Sequence, residues 1–237
     1  NFSASCSVIA GNSSNIQTDY DFDSKVFFSD LRNSSDIGVK AAKNTLLKCN
    51  PKKIKTCQMD VVFHPRVART LLAHFASLVN GSSIVRGSSL LKEKLNQKIF
   101  KSEINIIDDP NIIRGLSSKP FDDEGCSMEK IILIENGVLK NWILDTTTAK
   151  QLSMVSNSRA SRGVSSPPTP SHTNMFIDNG SKSSKQLLNE VNNGFYVTEL
   201  IGQGVNLITG DYSRGASGFK IENGEISFPI NEVTIAD

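Results

Sequence analysis

Histidines at metal-ligand spacing are the first chemistry to look for in this chain. His74 lies in a predicted helix, but Phe75 follows it and no second histidine occurs on the next turn. Helical zinc sites of peptidases need two histidines one turn apart and a glutamate beside the first, because that spacing places two imidazoles and a general base on one face. His64 and His172 have no partner at ligand spacing either. We therefore predict no zinc ligand among the histidines.

Two acidic clusters offer another kind of metal site. Asp108-Asp109 and Asp122-Asp123-Glu124 could hold a divalent ion if their loops meet, since hard cations prefer several carboxylate oxygens. Adjacent side chains on an extended segment point to opposite faces, so one or two carboxylates from each cluster could converge. Such residues beside Pro110 and Gly125 more often accept backbone N–H bonds in turns or pair with arginine. A metal-dependent hydrolase built on these carboxylates stays open as the alternative hypothesis.

Nucleophilic and dinucleotide-binding signatures are missing from the sequence. No serine lies in a Gly-x-Ser-x-Gly elbow, and no cysteine lies in a recognisable protease signature. Gly202-Gln203-Gly204 precedes a strand-like run and does not open a helix, so it is not a dinucleotide fingerprint. The residues alone therefore predict no catalytic machinery.

The candidate binding surface is a long segment, Val155 to Gly180, which is rich in serine, proline and arginine. Loops of this length in a compact domain are usually functional or disordered. Polar side chains and backbone groups here could pair with an extended peptide, and strand addition would tolerate varied sequences. A mobile linker is the competing interpretation. With one residue from the glycine-rich turn that follows Thr209, the candidate peptide-binding or cavity residues are Arg159, Arg162, Thr173, Asn174 and Asp211.

Alternating apolar patterns predict the strands that would position these residues. Asn-Gly turns join two predicted hairpins, because both residues tolerate positive φ. The first hairpin pairs Lys130–Glu135 with Val138–Leu144, and the second pairs Ser217–Glu222 with Glu225–Ile230. A third hairpin or strand pair is predicted for Ser3–Ala10 and Tyr20–Phe28, with further strands at Met59–Phe63, Ile104–Ile107 and Phe195–Ile201.

Helices are predicted from apolar stripes and capping residues. The first begins at Ser34 or Ser35, buries Ile37, Ala41, Leu46 and Leu47, and stops before Asn50-Pro51. The others are a helix from Pro65 that ends at a Gly81 C-cap, an amphipathic stretch Ser88–Ile99 and a short helix Ser183–Asn192. Together these elements predict an α+β fold, mainly an antiparallel sheet with a few flanking helices.

Charge, hydropathy and cysteine content exclude several classes of protein. The 26 basic and 24 acidic residues are mixed along the 237-residue chain, so we expect no direct nucleic-acid partner. No run approaches the roughly 18 apolar residues of a membrane helix, so we expect no membrane partner. The four cysteines lack paired spacing, which favours reduced thiols and a cytoplasmic location. These are Cys6, Cys49, Cys57 and Cys126.

The chain starts without methionine and inside a strand-like run, so we expect a preceding domain. The basic segment Pro51–Lys55 has the composition of a linker. We therefore predict a boundary that separates residues 1–56, the tail of a central domain with its linker, from residues 57–237, a C-terminal domain.

Several short motifs, in this order, resemble the TldE/PmbA side of the TldD/PmbA family. The similarity covers nearly the whole chain, and the shared order makes it more specific than any single motif. The motifs are Ser5–Gly11, Val62–Pro65, Ile107–Pro110, Lys119–Gly125, Thr173-Asn174 and Gly210–Ser213.

The resemblance implies a curved antiparallel sheet and a part in peptide degradation. TldD-type members carry a His-Glu-x-x-x-His zinc motif on the helix that corresponds to the one around His74, and this chain departs from that motif. The implied role is therefore that of the TldE subunit, which holds no cofactor itself and joins a TldD-type zinc protease in a heterodimer. That complex acts on unfolded or short peptides, in peptide-antibiotic maturation, antitoxin degradation and DNA gyrase modulation.

Two further alternatives remain at this point. Family members without a TldD partner could form homodimers, and the charge balance does not decide between the two assemblies. A peptide-binding module that works without metal or partner is a third function hypothesis.

Overall fold

A computed structural model describes residues 1–12 and 15–237 of the protein. Helices and largely antiparallel sheets confirm the predicted α+β class. The helices are α1 (Ser34–Leu47), α2 (Pro65–Leu78), α3 (Gly81–Arg86), α4 (Thr146–Gln151) and α5 (Ser184–Asn189). The strands are β1 (Phe2–Ala10), β2 (Gln17–Lys25), β3 (Asp60–Phe63), β4 (Ile106–Asp108), β5 (Ile131–Glu135), β6 (Val138–Leu139), β7 (Ala160–Ser161), β8 (Thr169–Pro170), β9 (Met175–Ile177), β10 (Asn193–Ile201), β11 (Ser213–Glu222) and β12 (Glu225–Ala236).

These elements belong to two units, each assembled from separate stretches of chain. Unit 1 comprises Asn1–Ala68, Lys182–Val205 and Tyr212–Asp237. Unit 2 comprises Arg69–Ser181 and Asn206–Asp211. Across the described residues, no helix combines the length and the apolar character that crossing a bilayer requires.

In unit 1, β1 and β2 form the predicted hairpin, with antiparallel pairs from Phe2 and Lys25 to Ala10 and Gln17. Residues 13 and 14, in the predicted connection, lie outside the described residues. Helix α1 packs against both strands. Its N-cap is Asn33, whose side chain accepts the backbone N–H of Ser35, so the predicted serine cap is one or two residues late.

The buried stripe of α1 differs from the predicted one at its C-terminal end. Ile37 and Ala41 are buried as predicted, but Leu46 and Leu47 are 64% and 53% exposed. Thr45 takes the inner position instead, because its hydroxyl donates to the Ala41 carbonyl at 2.8 Å and is thereby satisfied.

The second sheet of unit 1 has the strand order β12-β11-β10-β3, antiparallel except for the β10–β3 pair. The predicted hairpin across Asn223-Gly224 is confirmed, and both turn residues have positive φ. The hydrophobic core of this sheet is formed by Val67, Phe195, Val197, Ala216 and Ile230.

A buried polar network connects the hairpin of unit 1 to its other elements. The Arg66 guanidinium donates to both Asp19 oxygens, at 2.6 and 3.0 Å. The Lys48 ammonium lies 3.0 Å from Asp19 and 3.0 Å from Glu199. Burial alone would raise the pKa of Asp19, but the bonds from Arg66 and Lys48 outweigh it and hold that pKa below its ordinary value. Asp19 is therefore charged in the folded protein and ties together α1, α2 and β2.

His64 lies beside this network and makes the stability of the protein depend on pH. Its Nδ1 accepts the backbone N–H of Arg66 at 3.1 Å. Burial and the positive charge of Arg66 lower the pKa of His64 below its ordinary value. Near neutral pH the folded state therefore holds a neutral imidazole, whereas the unfolded chain takes up a proton below a pKa of about 6.5.

We expect the free energy of unfolding to decrease as the pH falls below about 6.5, and to level off at the lower pKa of folded His64. Urea unfolding at a series of pH values measures this slope. His64→Asn retains an acceptor for the Arg66 N–H and should flatten the slope. His172→Asn, at an exposed site, should leave it unchanged. Equal slopes in the protein and in His64→Asn would contradict the assignment.

Unit 2 contains a sheet of order β6-β5-β4-β9, all antiparallel. The predicted hairpin across Asn136-Gly137 is confirmed, although β6 ends at Leu139 instead of Leu144. Its core includes Phe75, Val79, Ile84, Leu133, Ile134 and Leu139.

Two helix predictions in unit 2 are wrong. Gly81 does not end α2; it begins α3, because the Asn80 side chain accepts the N–H of Ser82 at 2.9 Å and caps the new helix. The stretch Ser88–Ile99 forms turns, since backbone N–H groups at Asn96 and Ile99 donate to carbonyls of the β5–β6 hairpin region. Tertiary hydrogen bonds replace the predicted helical ones here.

Candidate functional site

Three predicted site residues meet in a buried ion pair of unit 2. Arg159 Nε donates to Asp108 Oδ2 at 2.6 Å, and both side chains are 0% exposed. Asp108 Oδ1 accepts the backbone N–H of Thr173 at 2.7 Å and its hydroxyl at 3.0 Å. The guanidinium also donates to the carbonyls of Asn157 and Glu129, at 2.9 and 2.5 Å. These residues therefore organise the interior of the long Val155–Gly180 segment, where Arg159 and Asp108 are enclosed by protein.

The carboxylates of the second acidic cluster accept hydrogen bonds from backbone N–H groups of nearby turns. Asp122 Oδ1 accepts the N–H groups of Glu124 and Cys126 at 3.0 and 2.9 Å, and Oδ2 accepts that of Ala160 at 3.1 Å. Glu124 Oε2 accepts the backbone N–H of Thr146 at 3.1 Å and its hydroxyl at 2.6 Å. Asp122 and Glu124 thus act as structural acceptors.

Asp123 belongs to the same cluster. Its Oδ2 accepts the backbone N–H of Arg162 at 2.9 Å, and Lys119 Nζ donates to Oδ1 at 3.1 Å. The bond from Arg162 and then that from Lys119 lower the pKa of Asp123 below its ordinary value. The Arg162 residue itself is exposed.

Asn174 and Asp109 hold a neighbouring loop. Asn174 Nδ2 donates to the Asp109 carbonyl and to Ser118 Oγ, each at 2.8 Å, while its Oδ1 accepts the Ser117 N–H at 3.0 Å. Asp109 Oδ1 accepts the Asn111 N–H at 2.8 Å. Every carboxylate of the two acidic clusters is thus engaged by a backbone N–H. Within the described residues, the contacts of these carboxylates are those of structural acceptors.

An open cleft of about 450 Å³ lies on α2, in unit 2. One wall is α2, which contributes Leu71, His74, Phe75 and Leu78. The other wall is the turn segment that follows α3. It contributes the apolar side chains Leu90, Leu91, Ile99 and Phe100, and the polar side chains Lys94, Gln97 and Lys98.

The turn segment is fixed against α2 by polar and aromatic contacts. Ser89 Oγ donates to the Leu78 carbonyl at 2.6 Å and accepts the Leu91 N–H at 3.0 Å. The rings of Phe75 and Phe100 lie 5.9 Å apart. These contacts place apolar side chains on both sides of one cleft.

Residues 206–211, which include the predicted site residue Asp211, lie beside the cleft. The Leu207 carbonyl accepts the N–H of Leu90, a cleft residue, at 3.0 Å. Thr209 Oγ1 donates to Asp211 Oδ2 at 2.5 Å, and Asn206 Oδ1 accepts the Ile208 N–H at 3.0 Å. Asp211 therefore shapes a short loop at the cleft.

The predicted residues do not converge on one site, and the cleft residues were missed. Leu71 on α2 is 39% exposed at this cleft, although an apolar residue on a helix is expected in the core. The available signal was the pair Lys94 and Lys98, which lie four positions apart within the amphipathic stretch Ser88–Ile99.

The cleft does not have the donor set of a peptidase metal site. His74 lines it, and its neighbours one turn away on α2, Leu71 and Leu78, are apolar. In the ranges 1–12 and 15–237, no three His, Cys, Asp or Glu side chains lie where they could share a metal ion. The residues present around His74 therefore do not fit the metal that helical zinc peptidases hold.

Comparisons with known proteins agree on one family. The family profile "PmbA/TldA metallopeptidase C-terminal domain" matches residues 56–237. Metalloprotease PmbA from Escherichia coli O157:H7 is 37% identical over 234 residues, which are 99% of this chain and 50% of the relative. The chain thus spans about half the length of the curated relatives it matches.

Solved structures share the fold. A Bacteroides thetaiotaomicron protein described as a modulator of DNA gyrase superposes with a TM-score of 0.89 at 28% identity, over 99% of this chain and 51% of that chain. TldE from Thermococcus kodakarensis gives a TM-score of 0.81 at 23% identity, over 99% of this chain and 54% of that chain.

Proposed function

The chain belongs to the PmbA/TldD metallopeptidase family, and from that premise we propose that it is a zinc-free subunit of the TldE/PmbA type. It associates with a TldD-type zinc protease subunit in the cytoplasm, and together they degrade unfolded or short peptides. The partner supplies the metal and the bond cleavage. This chain supplies part of the wall that holds the peptide.

The observation that carries the proposal is the packing of α2 around His74. In the TldD-type motif a glutamate follows the first histidine, and the second histidine lies five residues after the first. The corresponding positions here are Phe75 and Val79, which are 5% and 0% exposed and belong to the core of unit 2. Both positions therefore stabilise the fold in this chain, which supports a noncatalytic role.

The cleft on α2 supports a role in peptide binding. It places apolar side chains beside the glycine-containing loop of residues 206–211, where a peptide side chain can be withdrawn from water. Where no TldD-type partner is present, a homodimer is the alternative assembly.

We expect the protein and a TldD-type zinc protease, mixed and passed over a sizing column, to elute as one complex that contains zinc. Elemental analysis should find zinc in the complex and in the partner, but none in stoichiometric amount in this protein alone. Hydrolysis of a fluorogenic unstructured peptide should require the complex. The two separate subunits are the controls.

The variant His74→Asn tests whether His74 contributes a zinc ligand, and His172→Asn is the matched control. Neither variant should change the zinc content of the complex, because we assign no zinc ligand to either histidine. Stoichiometric zinc or peptide hydrolysis in the isolated protein would contradict the proposal. So would loss of zinc in His74→Asn.

A further inference from the structure

We propose that the cleft on α2 binds the C-terminal residue of a peptide, with an apolar side chain inside the cleft and the terminal carboxylate on Lys94 and Lys98. The proposal deepens the proposed function, since it rests on a peptide as the ligand. It adds a specificity for the C-terminal end of the peptide.

The interior of the cleft favours an apolar side chain on the bound peptide. Phe75 and Leu91 are buried at its floor, while Leu71, Leu90 and Phe100 are each more than a third exposed around its opening. A volume of about 450 Å³ falls within the range of small-ligand sites.

The rim of the cleft favours a negatively charged group on the ligand. Lys94 and Lys98 line the cleft, and among its described lining residues none is acidic. The Lys98 ammonium donates to Ser102 Oγ at 2.7 Å, which uses one of its three donors and leaves two for a ligand. Hydrogen bonds between ammonium and carboxylate are among the stronger ones in proteins.

The walls favour the end of a peptide over its middle. An internal residue would bring backbone amides on both sides into the cleft, and each needs a partner. On the turn segment, the N–H groups of Lys94, Gln97 and Ile99 already donate to carbonyls of the protein. The opposite wall is helix α2, whose backbone is bonded internally. A C-terminal residue has an amide on one side only and a carboxylate in place of the other, which the two lysines can satisfy.

The test is fluorescence anisotropy of the protein with a labelled unstructured hexapeptide that ends in leucine. The peptide is used with a free C-terminal carboxylate and as the C-terminal amide. We expect the acid to bind about tenfold tighter or more. The double variant K94Q/K98Q should lose this preference, whereas Lys92→Gln, an exposed lysine of the same segment that does not line the cleft, should keep it.

Equal affinity for acid and amide, or no binding of either, would overturn the proposal. An undiminished preference in K94Q/K98Q would also overturn it. Decanoate that displaces the peptide at lower concentration than an unlabelled copy would reassign the cleft to fatty acids. Because this assay needs no partner, its failure beside an active complex removes only the C-terminal assignment. Acid-selective binding without complex formation removes the subunit proposal instead.

Discussion

Arg159→Met should lower the free energy of unfolding by about 3–5 kcal/mol, because removal of one partner leaves a buried charge uncompensated. The Asp108 carboxylate would lose its ion-pair partner at a site with no access to solvent. The carbonyls of Asn157 and Glu129 would lose their donor as well. Urea unfolding, followed by circular dichroism, measures the change.

Arg162→Met is the matched control for this measurement. Arg162 is exposed, and its contact to Asp123 runs through the backbone N–H, which methionine retains. We expect a change within about 0.5 kcal/mol. If the two variants were equally stable, Arg159 would not be the structural centre that its contacts indicate. It would then return to the set of candidate peptide-binding residues.

Gly218→Ala should destabilise unit 1 by about 3 kcal/mol, at the upper end of the usual cost of overpacking. A Cβ at Gly218 would lie 2.0 Å from the Tyr196 carbonyl oxygen and 3.0 Å from Val197 Cα. Both atoms are backbone atoms of β10, so no side-chain rotation relieves the clash. The sheet itself must shift, at a place where β11 pairs with both β10 and β12.

Gly38→Ala is the control with the opposite sign. Gly38 lies inside α1, and apart from its chain neighbours and the adjacent helix backbone no atom of the described residues lies within 4 Å of a Cβ built there. Alanine should stabilise the protein by about 0.5–1 kcal/mol, because glycine loses more backbone freedom in a helix. Thermal unfolding of both variants checks the pair. Comparable stability of Gly218→Ala and the unchanged protein would show that β10 and β11 can separate without loss.

The hairpins were predictable because their signals are local. Asn136-Gly137 and Asn223-Gly224 each specify a turn by their own backbone preferences, and alternating apolar residues flank both. The family resemblance, carried by motifs from Ser5–Gly11 to Gly210–Ser213, could also be identified from sequence and is confirmed by the family profile.

What the sequence did not predict depends on contacts between distant residues. Ser88–Ile99 has helical periodicity, but the N–H groups of Asn96 and Ile99 donate to carbonyls of the β5–β6 hairpin region instead. Arginine is usually a surface residue. Arg159 is buried because it pairs with Asp108, which lies 51 positions away in the chain and beside it in space. The cleft on α2 could not be predicted for the same reason. Its second wall is an irregular segment, whose position depends on contacts with distant residues.

The burial of Phe75 and Val79 limits which substitutions α2 can accept. A single change to glutamate or histidine at either position would place a polar group in the core before the complete set of ligands exists, which costs stability without yielding a metal site. A metal site on this helix would therefore require several substitutions made together, with repacking of the core of unit 2 around them.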